Sequence, residues 1–464
     1  MTSFFFYPNS IAVIGATSNP KKFGNAVTMN ILKNKNLECE LYLISKKKQE
    51  IFGFSTFKSI LDVPKNIDIA IILVPAKVVE RVIDECIEKK VKGIIIVTSG
   101  FGEIDENGKK IENMIANECR KAKIRVMGPN CVGIQNTDIE LNASFIQTPP
   151  LGHISMISQS GSVGCATFYE MERFNLGISK FANIGNAIDV TFDEILEFFY
   201  LDKNTQIISL YLEAIREGKK FFTTLREISI NKPIIILKGG RTSIGMKAAR
   251  SHTGSIATNY KILKAASDQA GAVMCETMNE FIIALKTLSV LPIPKGEKIG
   301  VLTNSGGTSV LFSDAAEIFD LKFATFSEEL KNKMSPYLIP LVKKVNPLDM
   351  IASAAEEQYY QITKAMLEDE NIDIVVACCV IPPFLEMKSE EHYRGVIRAW
   401  NDLKREKPVI PLFVFSENFE AVTQLSKSEE APIFYTPNNA AYAIKLLIER
   451  KKFIDRYRAN LISK

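Results

Sequence analysis

The segment with the greatest chemical potential surrounds His252 and is made of small, hydroxyl-bearing and basic residues. It follows an apolar run at 233–238 and reads GGRTSIGMKAARSHTGS from Gly239 to Ser255. The chain has three histidines, and an imidazole, which titrates near neutral pH, can act as a nucleophile, a ligand or a proton carrier. Because no apolar periodicity would bury the ring, we expect a Gly-rich loop in which His252 moves and the backbone approaches a phosphate.

A carboxylate suited to orient this histidine stands at the end of the preceding predicted strand. Glu213 follows the apolar run IISLYL, and the His252 segment follows the next strand along the chain. The carboxyl ends of parallel strands share one edge of a sheet, so both side chains would lie in the same crevice. A carboxylate that accepts from one ring nitrogen leaves the other nitrogen free to attack. The alternative is a partly exposed carboxylate paired with Arg216 or Lys219.

Three turns of small residues, each after a predicted strand and before a predicted helix, could bind phosphate groups. They are GATSNPKKFGN from Gly15, SQSGSVG from Ser158 and TNSGGTS from Thr303. Such turns combine free backbone N–H groups with the positive end of a helix dipole. Any one of them could be a tight turn without a ligand, but three at strand carboxyl ends favour binding sites.

The first of these turns indicates a phosphorylated ligand other than plain NAD. Its spacing is not GxGxxG, and the second strand ends in Ile44-Ser45-Lys46-Lys47-Lys48 instead of an acidic residue that would bind a ribose. Ammonium groups there suit an extra phosphate, as on the 3′-phosphorylated ADP of coenzyme A or the 2′-phosphate of NADP. The alternative is a solvated lysine run that leads into a helix.

The remaining candidate residues are interpreted as structural. Cys131, in the turn GPNCVGI, has no histidine near it in sequence and is expected to be buried or to line the turn. His153 and His392 are expected to be structural or surface histidines. The eight cysteines form no CxxC pair, so we predict no metal site and a reduced, cytoplasmic compartment.

Length and composition indicate a protein of several domains that acts on small molecules. The chain has 464 residues, about three domains at ~150 residues each. A net charge of +4 favours neither nucleic acid nor a membrane surface, and the N-terminus shows no signal peptide or membrane span.

The alternation of short apolar runs and amphipathic stretches predicts an α/β fold of doubly wound parallel sheets. The rhythm begins at Ser10, restarts at His153 and begins a third time at Ile299, after a Pro-rich linker at 291–298. We therefore predict three consecutive α/β domains at 1–128, 129–294 and 295–464. The predicted strands are 10–15, 41–44, 67–74, 92–97, 123–127, 153–158, 206–212, 232–237, 299–304, 372–378 and 409–414.

In order, the strings SIAVIGAT, GPNCVGI, SQSGS, NIGNAIDV, YLEAI, GGRTSIGMKAARSHTGS, VLTNSGGTSV and NPLDM resemble the NDP-forming acyl-CoA synthetases. The greatest similarity is to α subunits of ADP-forming acetate–CoA ligases, which are related to succinyl-CoA synthetase. The resemblance implies a Rossmann-like CoA-binding domain followed by two flavodoxin-like domains. It also implies CoA, inorganic phosphate and ADP or ATP with Mg²⁺ as ligands, the nucleotide held mainly by another subunit.

Residue by residue, the resemblance makes His252 the phosphohistidine and Glu213 its orienting partner. Phosphate would be held by the turns at Ser160, Gly161 and Ser162 and at Ser305, Gly306, Gly307 and Thr308. CoA would lie along Gly15, Thr17, Ser18, Lys46, Val74 and Pro75, with Asn130 near the thioester. We expect an ATP-grasp β subunit in an α₂β₂ assembly, because no ATP-grasp segment follows residue 464.

Two alternatives belong to other functional classes. The first is a catalytically silent protein of the same fold that binds CoA or senses acyl-CoA. The second is an NADP-dependent dehydrogenase, which explains neither the SQSG turn nor His252. The sequence leaves open which acyl group is used and whether ADP or GDP is preferred.

Overall fold

The computed structural model describes residues 2–34, 37–47, 50–253, 258–381, 387–414 and 419–462. The chain divides into two compact units, Met1–Phe281 and Ile282–Lys464. The first unit contains two sheets and the second contains one. The three domain ranges derived from the sequence remain a prediction.

The first sheet of the described chain has seven strands in the order β3-β4-β2-β1-β5-β6-β7, and all neighbours except the β3–β4 hairpin are parallel. The central strands are buried on both faces because helices cover them, and this explains their unbroken Ile- and Val-rich sequences. The strands are β1 Ser10–Ile14, β2 Glu40–Ile44, β3 Glu50–Ile51, β4 Phe54–Phe57, β5 Ile69–Ile72, β6 Gly93–Ile96 and β7 Arg125–Met127. The helices are α1 Ser3–Phe6, α2 Phe23–Leu32, α3 Ala76–Lys89 and α4 Glu106–Lys121.

The second sheet of the described chain also has seven strands, in the order β14-β13-β12-β10-β11-β8-β9. The strands are β8 Gly133–Asn136, β9 Leu141–Ser144, β10 Leu151–Ser158, β11 Ile178–Asn183, β12 Ile207–Leu212, β13 Ile234–Lys238 and β14 Val273–Cys275. The helices are α5 Gly161–Arg173, α6 Phe192–Leu201, α7 Gly218–Ser229, α8 Ser243–Thr253, α9 Tyr260–Ala270 and α10 Met278–Val290.

The β8–β9 hairpin departs from the predicted parallel sheets. β8 pairs antiparallel with both β9 and β11, which makes one edge of the second sheet mixed. Polar side chains hold this hairpin, since Gln135 Nε2 donates to Ser144 Oγ at 2.9 Å and Asn142 Nδ2 donates to Ile146 O at 3.1 Å. Two four-residue strands with buried amides have no apolar alternation, so hydrophobic periodicity cannot predict them.

The two sheets of the first unit share one hydrophobic core. The ring of Phe6 stacks on Phe198 with centroids 4.8 Å apart, and Asn136 Nδ2 donates to Phe6 O at 2.9 Å. Arg125, on the last strand of the first sheet, pairs with Asp189 at 2.9 Å and with Glu194 at 2.8 Å. The first two sheets therefore belong to one unit, joined by a shared core and by contacts of α1 and β7 with α6, β8 and the loop after β11.

The second unit contains, in its described part, one five-stranded parallel sheet in the order β16-β15-β18-β19, with β17 paired to the end of β15. The strands are β15 Lys298–Thr303, β16 Lys322–Phe323, β17 Leu348–Asp349, β18 Ile374–Cys379 and β19 Val409–Phe413. The helices are α11 Gly306–Ile318, α12 Glu328–Met334, α13 Glu356–Glu368, α14 Ser389–Asp402, α15 Phe419–Ser428 and α16 Pro437–Ile462.

The predicted α/β fold class is confirmed, and each predicted strand corresponds to a strand of the structure with ends that differ by up to two residues. Within the described residues, every helix is too short or too polar to cross a lipid bilayer.

Candidate active site

Glu213 lies at the carboxyl end of β12 and is 6% exposed. Its Oε1 accepts a hydrogen bond from Tyr211 Oη at 3.1 Å. Gln159 holds its backbone, because Gln159 Oε1 accepts from the N–H groups of Glu213 and Ala214 while its Nε2 donates to Ala214 O at 3.1 Å. Tyr211 of β12 therefore holds the carboxylate, and Gln159, which directly follows the adjacent strand β10, holds the backbone.

Two titratable side chains beside Glu213, those of Tyr211 and Lys238, have pKa values shifted by burial and by the Glu213 carboxylate. Burial, reinforced by the Glu213 carboxylate, raises the pKa of Tyr211, so its hydroxyl stays protonated and donates. Lys238, at the end of β13, is 4% exposed, and its Nζ donates to Glu213 O at 2.8 Å and also to Gly239 O. Burial lowers the pKa of Lys238 to about 8, against the opposing attraction of the Glu213 carboxylate.

The segment that carries His252 is attached at both ends to the Glu213 loop. At its start, a Cβ on Gly239 would lie 2.4 Å from Tyr211 Oη and 3.2 Å from Glu213 Cγ, so only glycine fits against Glu213. Beyond its end, Thr258 Oγ1 accepts from Ile215 N at 2.9 Å. The chain from Gly239 to Thr258 therefore leaves and returns at the carboxyl edge of β12 and β13, where the sequence predicted that His252 and Glu213 would meet.

The backbone around His252 is helical, and the predicted loop is wrong in this respect. Residues 243–253 form α8, whose first turn is capped by Thr242 Oγ1 accepting from Gly245 N at 3.1 Å. The run Met246-Lys247-Ala248-Ala249-Arg250 consists of strong helix formers, and these outweigh the glycines and serines on either side. The side chain of His252 lies outside the described part of the structure.

The turn predicted to hold phosphate in the second sheet connects β10 to α5. Ser160 is the N-cap of α5, and its Oγ accepts from Val163 N at 3.3 Å and lies 3.0 Å from Ser162 Oγ. Gly161 opens the helix close to Val132, since a Cβ there would lie 2.1 Å from Val132 Cγ1. Ser160 and Gly161 lie beside Gln159, so this helix terminus belongs to the same edge as Glu213.

The corresponding turn in the second unit connects β15 to α11. Ser305 is the N-cap of α11 and makes no side-chain capping hydrogen bond, although Thr308 Oγ1 donates to Ser305 Oγ at 3.4 Å. A Cβ on Gly306 would lie 2.9 Å from Asp349 Oδ2, whereas one on Gly307 would have no heavy atom within 4 Å. The first turn of α11 is therefore open beside Gly307.

The first sheet has a cleft of about 760 Å³ at its carboxyl edge. Five of the residues predicted to contact CoA line it: Gly15, Thr17, Lys46, Val74 and Pro75. Gly15 has a φ of +102°, and a Cβ on it would lie 2.7 Å from Leu73 O. The turn before α2 can pass this close to β5 only because residue 15 is glycine.

The charged side chains that line the cleft are mainly positive. Five cationic side chains face one carboxylate, Glu85, which pairs with Arg81 at 3.6 Å and accepts from Ser59 Oγ at 2.7 Å. A cleft with this balance suits a ligand that carries several phosphates. The cationic residues are Lys22, Lys46, Lys47, Lys58 and Arg81.

Ser18 and Asn130, the other two residues assigned to CoA, lie outside the cleft lining. Ser18 is in the turn that precedes α2. Asn130 has a φ of +57°. Its N–H donates to O of Thr98 at 3.0 Å, and Thr98 lines the cleft, so Asn130 is hydrogen-bonded to the cleft wall.

Several side chains of these sites were not singled out from the sequence. Gln159, Tyr211 and Lys238 support Glu213, while Lys22, Lys58 and Arg81 add charge to the cleft. Tyr211 and Lys238 flank the ends of predicted strands, a position that could have indicated them. Lys58 and Arg81 reach the cleft only through the tertiary fold.

The residues interpreted as structural behave as expected. Cys131 is buried, its Sγ donates to Ile96 O at 3.2 Å, and burial raises its pKa to about 12, so it is a poor nucleophile. His392 is buried between Lys388 O and Ala354 O, and His153 is an exposed residue near Asn204 O. Among the described residues, no cluster of His, Cys, Asp or Glu could hold a metal ion.

Comparisons with known proteins match the two sheets of the first unit to two described domain families. Residues 9–137 match a family described as a CoA binding domain, and residues 151–288 match one described as a succinyl-CoA ligase like flavodoxin domain. The chain is 37% identical to the α subunit of acetate–CoA ligase [ADP-forming] II from Pyrococcus furiosus, over 97% of this chain and 98% of the relative. It is 36% identical to acetate–CoA ligase [ADP-forming] from Methanocaldococcus jannaschii, over 98% of this chain and 65% of that longer relative.

A solved structure extends the similarity to the whole fold. The dinucleotide-forming acetyl-coenzyme A synthetase 1 of Ca. Korarchaeum cryptofilum, in complex with phosphate and ADP, superposes with a TM-score of 0.92 at 31% identity, covering 99% of this chain and 98% of that chain. These similarities extend over nearly the whole chain and therefore show its family. The chain belongs to the family of ADP-forming acetate–CoA ligase α subunits.

Proposed function

We propose that this chain is the α subunit of an ADP-forming acyl-CoA synthetase, that it works with an ATP-grasp β subunit in an α₂β₂ assembly, and that His252 carries the phosphoryl group between them. The overall reaction converts acyl-CoA, ADP and phosphate into carboxylic acid, CoA and ATP, reversibly. The observation that carries the proposal is the attachment of both ends of the His252 segment to the loop of the buried Glu213.

The reaction divides into three transfers. Inorganic phosphate attacks the thioester carbonyl, the C–S bond breaks, and acyl phosphate and CoA form. The unprotonated ring nitrogen of His252 then attacks the phosphorus of acyl phosphate, which releases the carboxylate and leaves phosphohistidine. ADP on the partner subunit, with its Mg²⁺, takes the phosphoryl group and becomes ATP.

Glu213 assists the second transfer by holding the imidazole. A carboxylate that accepts from one ring N–H fixes the tautomer in which the other nitrogen has a free lone pair. Tyr211 donates to Glu213 Oε1 and Gln159 holds its backbone, so the carboxylate has little freedom to turn away. We assign Glu213 as the orienting residue of the phosphoryl transfer.

Each of the helices α5 and α11 has an N-terminus whose positive end suits a phosphoryl group. A phosphohistidine carries roughly two negative charges at neutral pH, like other phosphoryl groups, and N-terminal N–H groups stabilise such charge. We assign Ser160, Gly161 and Ser162 to one cradle, and Ser305, Gly306, Gly307 and Thr308 to the other.

The cleft of the first sheet is assigned to CoA. Its five cations suit the 3′-phosphate and diphosphate of the cofactor, and the turn at Gly15, Thr17 and Ser18 would lie against it. Val74 and Pro75 supply an apolar wall. Asn130, behind Thr98, would lie towards the thioester end of the bound molecule.

The proposal is tested by labelling the assembled enzyme with [γ-³²P]ATP. The chain, purified with its partner subunit, should acquire acid-labile label, and His252→Asn should lower both the label and the acyl-CoA-dependent formation of ATP by about 10³-fold or more, because the nucleophile is lost. Glu213→Gln should keep the label but slow its appearance by about 10²-fold.

His153→Asn is the matched control, because it removes another imidazole from the exposed surface of the same unit. It should label and turn over like the wild type. An assembled enzyme that forms ATP with His252→Asn would refute the proposal. A chain that binds CoA but never acquires label would instead be a sensor of acyl-CoA.

A further inference from the structure

Asn186, in the loop that follows β11, joins parts of the first unit that are far apart in sequence. Its Nδ2 donates to Glu103 Oε2 and to Glu112 Oε1, both at 2.7 Å. Its Oδ1 accepts from Asn130 Nδ2 at 3.4 Å, and its backbone O accepts from Arg216 Nη2 at 2.9 Å. Asn186 itself has no part in the proposed CoA, phosphate or phosphoryl-transfer sites.

We propose that Asn186 is a positioning residue for CoA binding, and that it fixes the amide of Asn130 and the cleft wall beside it in the arrangement that receives the thioester end of CoA. Asn186 lies outside the cleft lining, so it acts through its neighbours. The proposal rests on the proposed function, because it takes Asn130 to lie towards that end of the bound molecule.

Two carboxylates hold the side chain of Asn186 in one orientation. Glu112 is 0% exposed, and it also pairs with Lys109 at 2.5 Å. An amide nitrogen has two hydrogens, and Glu103 and Glu112 both lie within hydrogen-bond distance of it, so each carboxylate can accept one. The amide oxygen is then the atom of this side chain that accepts from Asn130.

Glu103 connects this contact to the CoA cleft. It accepts from the N–H groups of Gly100 and Phe101, in the loop that follows β6, and residues 97–99 at the start of that loop line the cleft. Burial raises the pKa of Glu103, but the hydrogen bonds from backbone N–H groups and from Asn186 outweigh burial and hold the pKa below its ordinary value. The carboxylate is therefore ionised at neutral pH and is stabilised by the donor that Asn186 supplies.

The turn that contains Asn130 packs against the Asn186 loop. Asn186 N donates to Pro129 O at 3.0 Å, and a Cβ on Gly185 would lie 2.2 Å from the same oxygen. On its other side, Asn130 N donates to Thr98 O at 3.0 Å. Because its Nδ2 donates to Asn186, Asn130 would offer its Oδ1 to a ligand, and this acceptor suits the amide N–H groups in the pantetheine arm of CoA.

The test measures the dissociation constant of CoA by titration calorimetry and the labelling of His252 by [γ-³²P]ATP, both on the enzyme assembled with its partner subunit. Asn186→Asp is the main variant, since it keeps the shape of the side chain but turns a carboxylate oxygen towards the two carboxylates. Asn204→Asp is the matched control. Asn204 Nδ2 also donates to a carboxylate, Asp138 Oδ2 at 2.8 Å, but it is exposed and lies outside the cleft lining.

We expect Asn186→Asp to weaken CoA binding at pH 8 by about tenfold or more, equivalent to ~1.4 kcal/mol, because three carboxylates then face one another without the amide donor. At pH 6 the loss should shrink to less than about threefold, since the neighbouring carboxylates raise the pKa of the new one and its protonated form can donate. The labelling of His252 should stay within about twofold of the wild type, because the backbone O of residue 186 still accepts from Arg216.

A second substitution distinguishes positioning from a general loss of stability. Adding Glu103→Gln to Asn186→Asp exchanges donor and acceptor, so the new amide can donate to the new carboxylate. The double variant should bind CoA at least about threefold more tightly at pH 8 than Asn186→Asp alone, because the two positions are coupled. Asn186→Ala removes the donor without adding a charge, and it should weaken CoA binding by about threefold to tenfold even if the Asp variant does not fold.

The outcomes separate this assignment from the proposed function. CoA binding that is unchanged in Asn186→Asp and in Asn186→Ala, while His252 is labelled normally, would overturn the role of Asn186 alone. A loss that is equal at pH 6 and pH 8, or that Asn204→Asp reproduces, would also overturn it. A wild type whose His252 never acquires label would instead overturn the proposed function.

Discussion

The turns that open α5 and α11 share one local design in two different units. In the first, Ser158 Oγ donates to Ser160 O at 2.6 Å and accepts from Ser160 N at 3.2 Å. In the second, Thr303 Oγ1 donates to Ser305 O at 3.0 Å and accepts from Ser305 N at 3.0 Å. In both, the hydroxyl of the last strand residue ties down the N-cap serine, which sends the chain directly into a helix.

The two turns differ in how their first helical turn is completed. Ser160 Oγ accepts from a backbone N–H of its own helix, and Gly161 is covered by Val132. Ser305 makes no such cap, and the position of a Cβ on Gly307 is open. We propose that the α5 turn is a rigid part of the Glu213 site and that the α11 turn offers an open binding surface for a phosphoryl group.

The strongest test of this comparison is the same substitution in both turns. Gly161→Ala should lower the free energy of unfolding by about 1–3 kcal/mol, because the new methyl group overlaps the stiff side chain of Val132. Gly307→Ala should leave the fold intact or stabilise it by up to about 1 kcal/mol, since alanine favours a helix. It should nevertheless slow phosphoryl transfer about tenfold, equivalent to ~1.4 kcal/mol, by filling the open approach.

Thermal unfolding and the rate of His252 labelling measure the two effects. Equal loss of stability in both variants would show that the α11 turn is as tightly packed as the α5 turn. An unchanged labelling rate in Gly307→Ala would contradict the proposed phosphoryl-binding surface at the α11 turn.

The buried lysines of the two units allow a second comparison, through pH. Burial lowers the pKa of Lys238 to about 8 and that of Lys286, whose Nζ donates to Ile433 O, to about 7. Their ordinary value is 10.5, so the unfolded chain binds more protons above the folded pKa, and stability rises with pH there. The free energy of unfolding of the wild type should therefore rise relative to that of Lys286→Met as the pH increases above 7. Relative to Lys238→Met, it should rise as the pH increases above 8.

The difference in free energy of unfolding between the wild type and each variant should change by at most about 1.4 kcal/mol per pH unit. Urea unfolding of the wild type and both variants between pH 6 and 9.5 measures it. A difference that stays flat with pH would mean that the lysine in question keeps its ordinary pKa.

The smallest expected effect concerns the cap itself. Ser160→Ala should destabilise the first turn of α5 by about 1 kcal/mol, because Val163 N loses its acceptor. Ser305→Ala should change α11 by only a few tenths of a kcal/mol, since no backbone N–H depends on that hydroxyl for a cap. Amide hydrogen exchange of the two first turns distinguishes them, and similar changes in both would contradict the proposed difference.

The sequence predicted what depends on local periodicity and on strand ends. Glu213 and Ser160 were located correctly at one sheet edge, because parallel strands fix where their carboxyl ends must lie. The sequence does not predict the helix around His252, because the flanking glycines and hydroxyl residues favour a loop whereas Met246 to Arg250 favour a helix. In the structure the helix propensity of this run determines the local backbone, and residues 243–253 are helical.

Other features depend on contacts far apart in sequence. The polar β8–β9 hairpin is held by amide hydrogen bonds that leave no apolar pattern. Lys58 and Arg81 reach the CoA cleft from separate elements.

The hydrogen bond between Thr258 Oγ1 and Ile215 N fixes one point of the chain close to His252 in sequence. From 252 to 258 there are six peptide steps, and six extended residues span at most about 20 Å. If His252 carries the phosphoryl group as proposed, its Cα therefore stays within that distance of Thr258 for as long as the hydrogen bond to Ile215 is kept. Under the proposed function, the ADP held by the partner subunit would have to lie close to this span, which restricts where that subunit could dock.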